Sequence, residues 1–216
     1  MYEPNSNFNY IVSVDVGIKN LALVLIEYTK EYIFNDIVWF ELIDITQHVH
    51  LDSESQIDCK LFHSKTITDW LLHVMYLHNE LFEYAQYIII ERQPPRGHVA
   101  IEQLLFFKYR EKAILISPVS VHRFFGWSAE VNYEQRKEKS VAILKYKLEK
   151  TNRPWLHTEL NKLKRQHDIS DAVLQTLYFL YKKHEQLTIE KRLKQYRDNS
   201  ELPFLEKFRH IPELTI

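Results

Sequence analysis

The sequence predicts an α/β fold with a mixed sheet, and two patterns predict it. Residues 10–45 read as three short apolar strands joined by tight turns, an antiparallel opening. After residue 63, short wholly apolar runs alternate with segments of helical periodicity.

Taken in order, residues 10–16 form a buried strand, Gly17 to Asn20 a turn, and 21–28 a second strand. Residues 32–45, YIFNDIVWFELIDI, read as a third strand that could be interrupted, and the polar span 46–62 as a loop. From Lys65 to Glu83, Ile67, Trp70, Leu71, Val74, Leu77 and Leu81 recur on one side of a helix. YIIIE, 87–91, is a short apolar strand, and the two prolines of RQPPRGH, 92–98, make a loop. Residues 99–112 read as helix, 113–117 as buried strand, 133–150 as a lysine-rich helix and 168–183 as an amphipathic helix. The chain divides into an N-terminal tail, 1–9, one domain, 10–184, and a charged, partly helical extension, 185–216.

Composition narrows the classes. Hydrophobic residues are 45% of the chain, and no run of about 18 apolar residues predicts a transmembrane helix. One cysteine, Cys59, excludes an intrachain disulfide framework and a Cys-rich zinc site, and suits a reducing intracellular compartment. Twenty-eight Lys and Arg against 29 Asp and Glu leave a net charge of −1, so bulk charge gives nucleic-acid binding no support. The distribution says more: basic residues gather at 136–147, at 162–165 and beyond 182, enough for one basic face.

Three carboxylate positions share a pattern. Asp15 ends the first strand, Glu91 ends an apolar strand, and Asp168 with Asp171 opens a helix, their i, i+3 spacing setting both on one face. Strand carboxyl ends are where α/β sheets build active sites. Oxygen donors from several elements, without a Cys or His set, favour Mg²⁺ or Mn²⁺ over Zn²⁺. Each also has a plain reading: Asp168 as a helix N-cap with Asp171 on the helix dipole, Glu91 paired with Arg92 or Arg96, Asp15 capping the GIKN turn. The combination is the signal.

In this order, "SVDVGIKNLAL", "IIIERQPPR", "SPVSVHRFFG", "YEQRKEKSVAIL" and "HDISDAVLQTLYFLY" resemble RuvC-type Holliday-junction resolvases. The similarity is to the branch of poxviruses and other large DNA viruses, related to fungal mitochondrial resolvases, and spans about residues 10–184. It implies a ribonuclease-H-like fold: a five-stranded mixed sheet, the first three strands antiparallel, flanked by helices. It implies a homodimer that cuts four-way or branched DNA symmetrically by phosphodiester hydrolysis, leaving 5′-phosphate and 3′-hydroxyl ends, in recombination or concatemer resolution. No membrane is involved, and a poxviral member would act in the viral factory of the host cytoplasm.

By the same resemblance, Asp15, Glu91, Asp168 and Asp171 are the catalytic carboxylates and ligands of two Mg²⁺ ions, with Mn²⁺ a substitute. Such ions stand ~4 Å apart and activate water and the leaving oxygen. Lys137 is matched to the family's lysine, with Lys139 second. Arg92, Gln93, Arg96, Arg136 and Lys139 are candidate DNA contacts. His167 reads more readily as a histidine capping its own turn than as a substrate contact, His48 and His50 as surface or strand residues. HRFFGW, 122–127, fits base stacking or an apolar contact equally.

Rival readings remain. Actin-like ATPases and sugar kinases also open with strand, Asp-x-Gly and strand, but need a second glycine-rich phosphate turn. This chain has only Gly17, Gly97 and Gly126. A ribonuclease H or exonuclease would share the metal site and differ in substrate. A non-catalytic junction-binding protein would not need all four acidic positions, yet all four are acidic.

Overall fold

The computed structural model describes residues 6–50, 61–127 and 131–198. Its strands are β1 (Asn9–Asp15), β2 (Leu21–Tyr28), β3 (Phe34–Ile43), β4 (Tyr87–Glu91) and β5 (Ala113–Ile116). The helices are α1 (Ile67–Leu77), α2 (Asn79–Tyr84), α3 (Val99–Lys108), α4 (Pro118–Phe124), α5 (Tyr133–Leu148), α6 (Trp155–Lys162) and α7 (Gln166–Asp198). The sheet order is β3-β2-β1-β4-β5. β1, β2 and β3 pair antiparallel, whereas β4 runs parallel to both β1 and β5. This is the mixed, ribonuclease-H-like sheet that the resemblance implies. Register shifts between Leu25 and Ile26 and between Glu27 and Tyr28 mark the irregularity expected near the third strand.

Side-chain alternation divides the core into two layers. Val12 and Val14 of β1 and Ile88 and Ile90 of β4 pack with Leu71 of α1 and Leu105 of α3. Ile11 and Ile89, one residue out of phase, pack with Leu174 and Phe179 of α7. Val24 and Ile26 join the same side, against Leu144 of α5 and Val173 of α7. With helices on both faces, the inner strands read as continuous apolar runs, and all eight residues of β2 are buried.

The differences from the sequence reading have local causes. The helix expected over 65–83 is two, because His78 leaves helical geometry (φ −104°, ψ 19°), its ring 5.5 Å from that of Trp39. The first of the two opens on Thr66, whose hydroxyl accepts the Asp69 N–H. The helix expected to reach 112 ends at Lys108, and 113–116 is strand. α4, unforeseen, starts with Pro118 at its first turn, where a missing N–H costs nothing. α6 follows Pro154 and was also unforeseen. Residues 45–50 form a 3₁₀ helix, which takes Ile45 from the expected third strand and the rest from the span expected to be loop. The rest of that loop to residue 60, and the extension beyond 198, lie outside the described residues, as do the side chains of His48 and His50.

α7 is the largest departure: 33 residues in place of the expected 16, passing residue 184 without a break. Its second half has no Gly or Pro and is rich in Glu, Lys, Arg and Gln, all good helix formers. Beyond Leu180 it leaves the core, and Ile189 and Leu193 are each 52% exposed. Among the described residues no helix is long and apolar enough to cross a membrane.

Arg153, ahead of α6, forms an ion pair with Asp36 on β3, whose side chain is only 8% exposed. Removing one partner of a buried pair strands the other. Arg153→Met should therefore cost about 3 kcal/mol in urea unfolding. Lys162→Ala, which removes the exposed Lys162–Glu159 pair, should cost at most about 0.5 kcal/mol. Equal losses would contradict this reading.

Candidate active site

Strand parity decides where the acidic residues meet. Asp15 follows Ile11 and Ser13 on the α7 side of β1, and Glu91 follows Ile89 on the same side of β4. The two strands are parallel neighbours with Val14 opposite Ile90, so Asp15 and Glu91 emerge side by side at their carboxyl ends. The buried Ser13 hydroxyl donates to the carbonyl of Ala172 at 2.7 Å and sets the height of α7 across the sheet. The first turns of α7 then carry Asp168 and Asp171 over the strand ends. All four carboxylates and Lys137 line one cavity of about 270 Å³. Trp127, Val121 and Leu174 form its apolar wall.

Crowding shows in the electrostatics. Burial first, then the charge of Glu91 and a hydrogen bond with it, raise the pKa of Asp15 well above its ordinary value, with Asp171 and Asp168 adding to the shift. Asp171 is pushed up to about 7 by burial, Asp168 and Glu91, against partial relief from Ser140 and Lys137. Asp168 and Glu91 each have a side-chain nitrogen donor as well. Arg165 grips Asp168 with both arms, Nε to Oδ2 at 2.6 Å and Nη2 to Oδ1 at 3.0 Å. Gln93 Nε2 donates to Glu91 Oε2 at 2.5 Å.

Asp168 lies inside the first turn of α7, so it is not the N-cap of the plain reading. Glu91 pairs with Gln93 instead of an arginine, and Gln93 spends its amide within the loop, its Oε1 accepting the His98 N–H at 3.1 Å. Gly97 permits this packing, since a Cβ there would stand 2.8 Å from Gln93 Oε1. Lys137 lines the cavity with its ammonium 3.9 Å from the Tyr133 ring centroid. Lys139, two residues on, is exposed and does not line it. Arg136 lines the cavity; Arg92 and Arg96 are exposed and do not.

The sequence reading missed Tyr133, Arg165 and Gln175. Arg165 stands three residues before Asp168 and Gln175 four after Asp171, so extending the i, i+3, i+7 stripe would have found both. His167 also lines the cavity, its Nε2 3.1 Å from Asp168 Oδ1. His122 and Trp127 of the HRFFGW segment form part of the wall.

Among the described residues, no three His, Cys, Asp or Glu side chains already stand grouped to hold a metal ion. The donor set nevertheless fits a hard divalent cation. Four carboxylates from three elements share one cavity, their charges raise the pKa of Asp15 and Asp171, and the protein donors at Asp168 and Glu91 stand where a cation's charge would otherwise act.

The family described as Poxvirus A22 protein matches residues 9–183. No curated protein matches. A crystal structure of fowlpox virus resolvase with its substrate Holliday junction DNA superposes with a TM-score of 0.58 at 18% identity, covering 80% of this chain and 97% of that one. A structure of the fowlpox virus Holliday junction resolvase gives 0.52 at 18% identity, covering 80% and 99%. At that identity the likeness is one of fold.

The raised carboxyls predict how the cation-free protein responds to pH. Between the ordinary carboxyl value of 3.8 and about 7, folded Asp171 holds a proton that the unfolded chain has released, so its contribution lowers stability as pH rises. His122 and His167, whose pKa values burial lowers, act in the opposite direction below 6.5. The difference between wild type and Asp171→Asn isolates the carboxyl. From pH 5 to 7.5 in EDTA, the Tm of wild type should fall relative to that of Asp171→Asn. A difference that stays flat would remove the repulsion argument.

Proposed function

The chain belongs to the Poxvirus A22 protein family, and we propose that it is a structure-selective DNA endonuclease that resolves four-way (Holliday) junctions and branched DNA. The observation that carries the reading is the meeting of Asp15, Glu91, Asp168, Asp171 and Lys137 on one cavity at the sheet's carboxyl end. The junction is carried over from the fowlpox protein of the same fold, which is described in complex with Holliday junction DNA. Two copies acting on one junction, symmetric cuts leaving 5′-phosphate and 3′-hydroxyl ends, Mg²⁺ as the ion and the viral factory as the place of action belong to the same proposal.

Hydrolysis of a phosphodiester gathers negative charge on the phosphoryl and leaving oxygens. Divalent ions supply the neutralisation and the lowered water pKa that this requires. Asp15, Glu91 and Asp171 would hold them, with Asp168 a further ligand or a water-orienting group. The chain's own cations do the rest. Lys137 reaches the cavity from α5, where Glu134 Oε1 at 3.6 Å and the Tyr133 ring confine its ammonium, so it can meet the scissile phosphate without a large loss of freedom. Arg136 offers a second contact to the strand. His122, held below its ordinary pKa by burial and by Arg136, is neutral at pH 7 and adds no charge to the wall. Trp127, Val121 and Leu174 keep bulk water from one side, which strengthens the remaining electrostatics.

A synthetic four-way junction, a linear duplex and an RNA–DNA hybrid, each with Mg²⁺ or EDTA, test the reading directly. The junction should be cut and only with the metal; preferential cutting of the hybrid would overturn it. Asp15→Asn should abolish cleavage while junction binding in Ca²⁺ persists. Lys137→Ala should lower kcat by roughly 10²-fold with little change in binding. An unchanged rate in that variant would move the role to Lys139 or remove it.

A further inference from the structure

A second cavity of about 270 Å³ lies on the other side of Asp15, between the β1–β2 turn and the start of α7. It shares Asp15 and Asp168 with the first cavity, and its distinguishing members are Lys19, His98 and Arg165. No function assigned above uses it. Its wall is the turn 16–20, tight enough that a Cβ on Gly17 would stand 2.6 Å from the Asn20 carbonyl oxygen. Glycine is therefore what lets the turn close and form this wall.

Arg165 is the informative residue. Its guanidinium holds both oxygens of Asp168, a side chain 8% exposed, while Arg165 itself is 45% exposed. A buried carboxylate needs a counter-charge, and the exposed arginine is free to swing towards solvent. In the cation-free protein the four carboxylates face three lysine or arginine charges nearby, Arg136, Lys137 and Arg165. A divalent ion reverses that balance and leaves Arg165 surplus to Asp168. Lys19 is exposed on the same cavity and has no ion pair among the described residues.

The geometry points to a second phosphate seat: Arg165 is Asp168's counter-ion until a divalent ion binds, and then, with Lys19, it grips a backbone phosphate of the DNA strand beside the scissile one. The phosphate part rests on the DNA endonuclease reading; the counter-ion part does not.

The experiment uses the full chain in three variants: Arg165→Gln, Arg165→Lys and Lys19→Gln. Mn²⁺ binding is measured without DNA by calorimetry, and four-way junction binding in Ca²⁺ from 50 to 200 mM salt. Arg165→Gln should bind Mn²⁺ about threefold to fivefold tighter, because a competitor for Asp168 is gone. It should also bind the junction more weakly, with a salt slope shallower by about one. Lys19→Gln should show the same loss of slope with Mn²⁺ binding unchanged, and Arg165→Lys should restore the slope. Unchanged or weaker Mn²⁺ binding in Arg165→Gln would overturn the counter-ion role, and unchanged slopes in both Gln variants the phosphate seat. If wild type binds no junction while Arg165→Gln still tightens Mn²⁺, the counter-ion role stands and the DNA reading, with the phosphate seat built on it, falls.

Discussion

Asp15 has Glu91 beside it along the sheet and Asp168 and Asp171 above it on α7, and the repulsion among these groups governs what the rest of the chain supplies. Burial and like charge raise the pKa of Asp15 and Asp171, and a fold that gathers four carboxylates must hold them against that cost. The holding force is apolar and comes from the same elements. Ile11, Ile89, Ile169, Ala172 and Val173 are all fully buried. They press α7 onto the sheet directly beneath the acidic turn. One polar contact, Ser13 to Ala172, fixes the register of that packing.

The neighbouring side chains then read as responses to the same charge. Glu102, 4% exposed, accepts the backbone N–H of Gln93 and so anchors the loop whose amide reaches Glu91. Arg92 N–H, bonded to the Ile116 carbonyl at 2.8 Å, ties that loop to β5 as well. The proline pair and Gly97 shape a loop that orients a carboxylate, and the arginines within it are left facing solvent. On the opposite side, Asn132 and Gln135 close a capping box that fixes where α5 begins. Lys137 therefore falls just over one turn in, over the cavity.

Much of this was legible from the residues. The apolar runs YIVSVDV and YIIIE placed the strands, each with its carboxylate at the end, while the parallel pairing that sets Asp15 beside Glu91 belongs to the structure. The i, i+3 spacing of Asp168 and Asp171 did the same for α7. Contacts between elements were not legible. That Gln93 turns inward while Arg92 and Arg96 do not depends on packing against Gly97 and Glu102, which no spacing rule contains. The grip of Arg165 on Asp168 is a local i, i+3 pair and could have been proposed, but HDISD drew attention to its acids alone. α4 and α6 were missed because each is only about two turns long, too short for a periodic signal, with only a proline to announce it.

α7 sets the mechanics of the site as well as its chemistry. Packing clamps it to the sheet from Ile169 to Leu180, and His184 Nδ1 still donates to the Glu31 carbonyl at 2.7 Å. From there to Asp198 the helix runs on for 14 residues, about 21 Å at 1.5 Å per residue. The helix is a cantilever with the carboxylates at its clamped end: a load on the projecting arm bends it beyond the clamp and leaves the acidic turn in place.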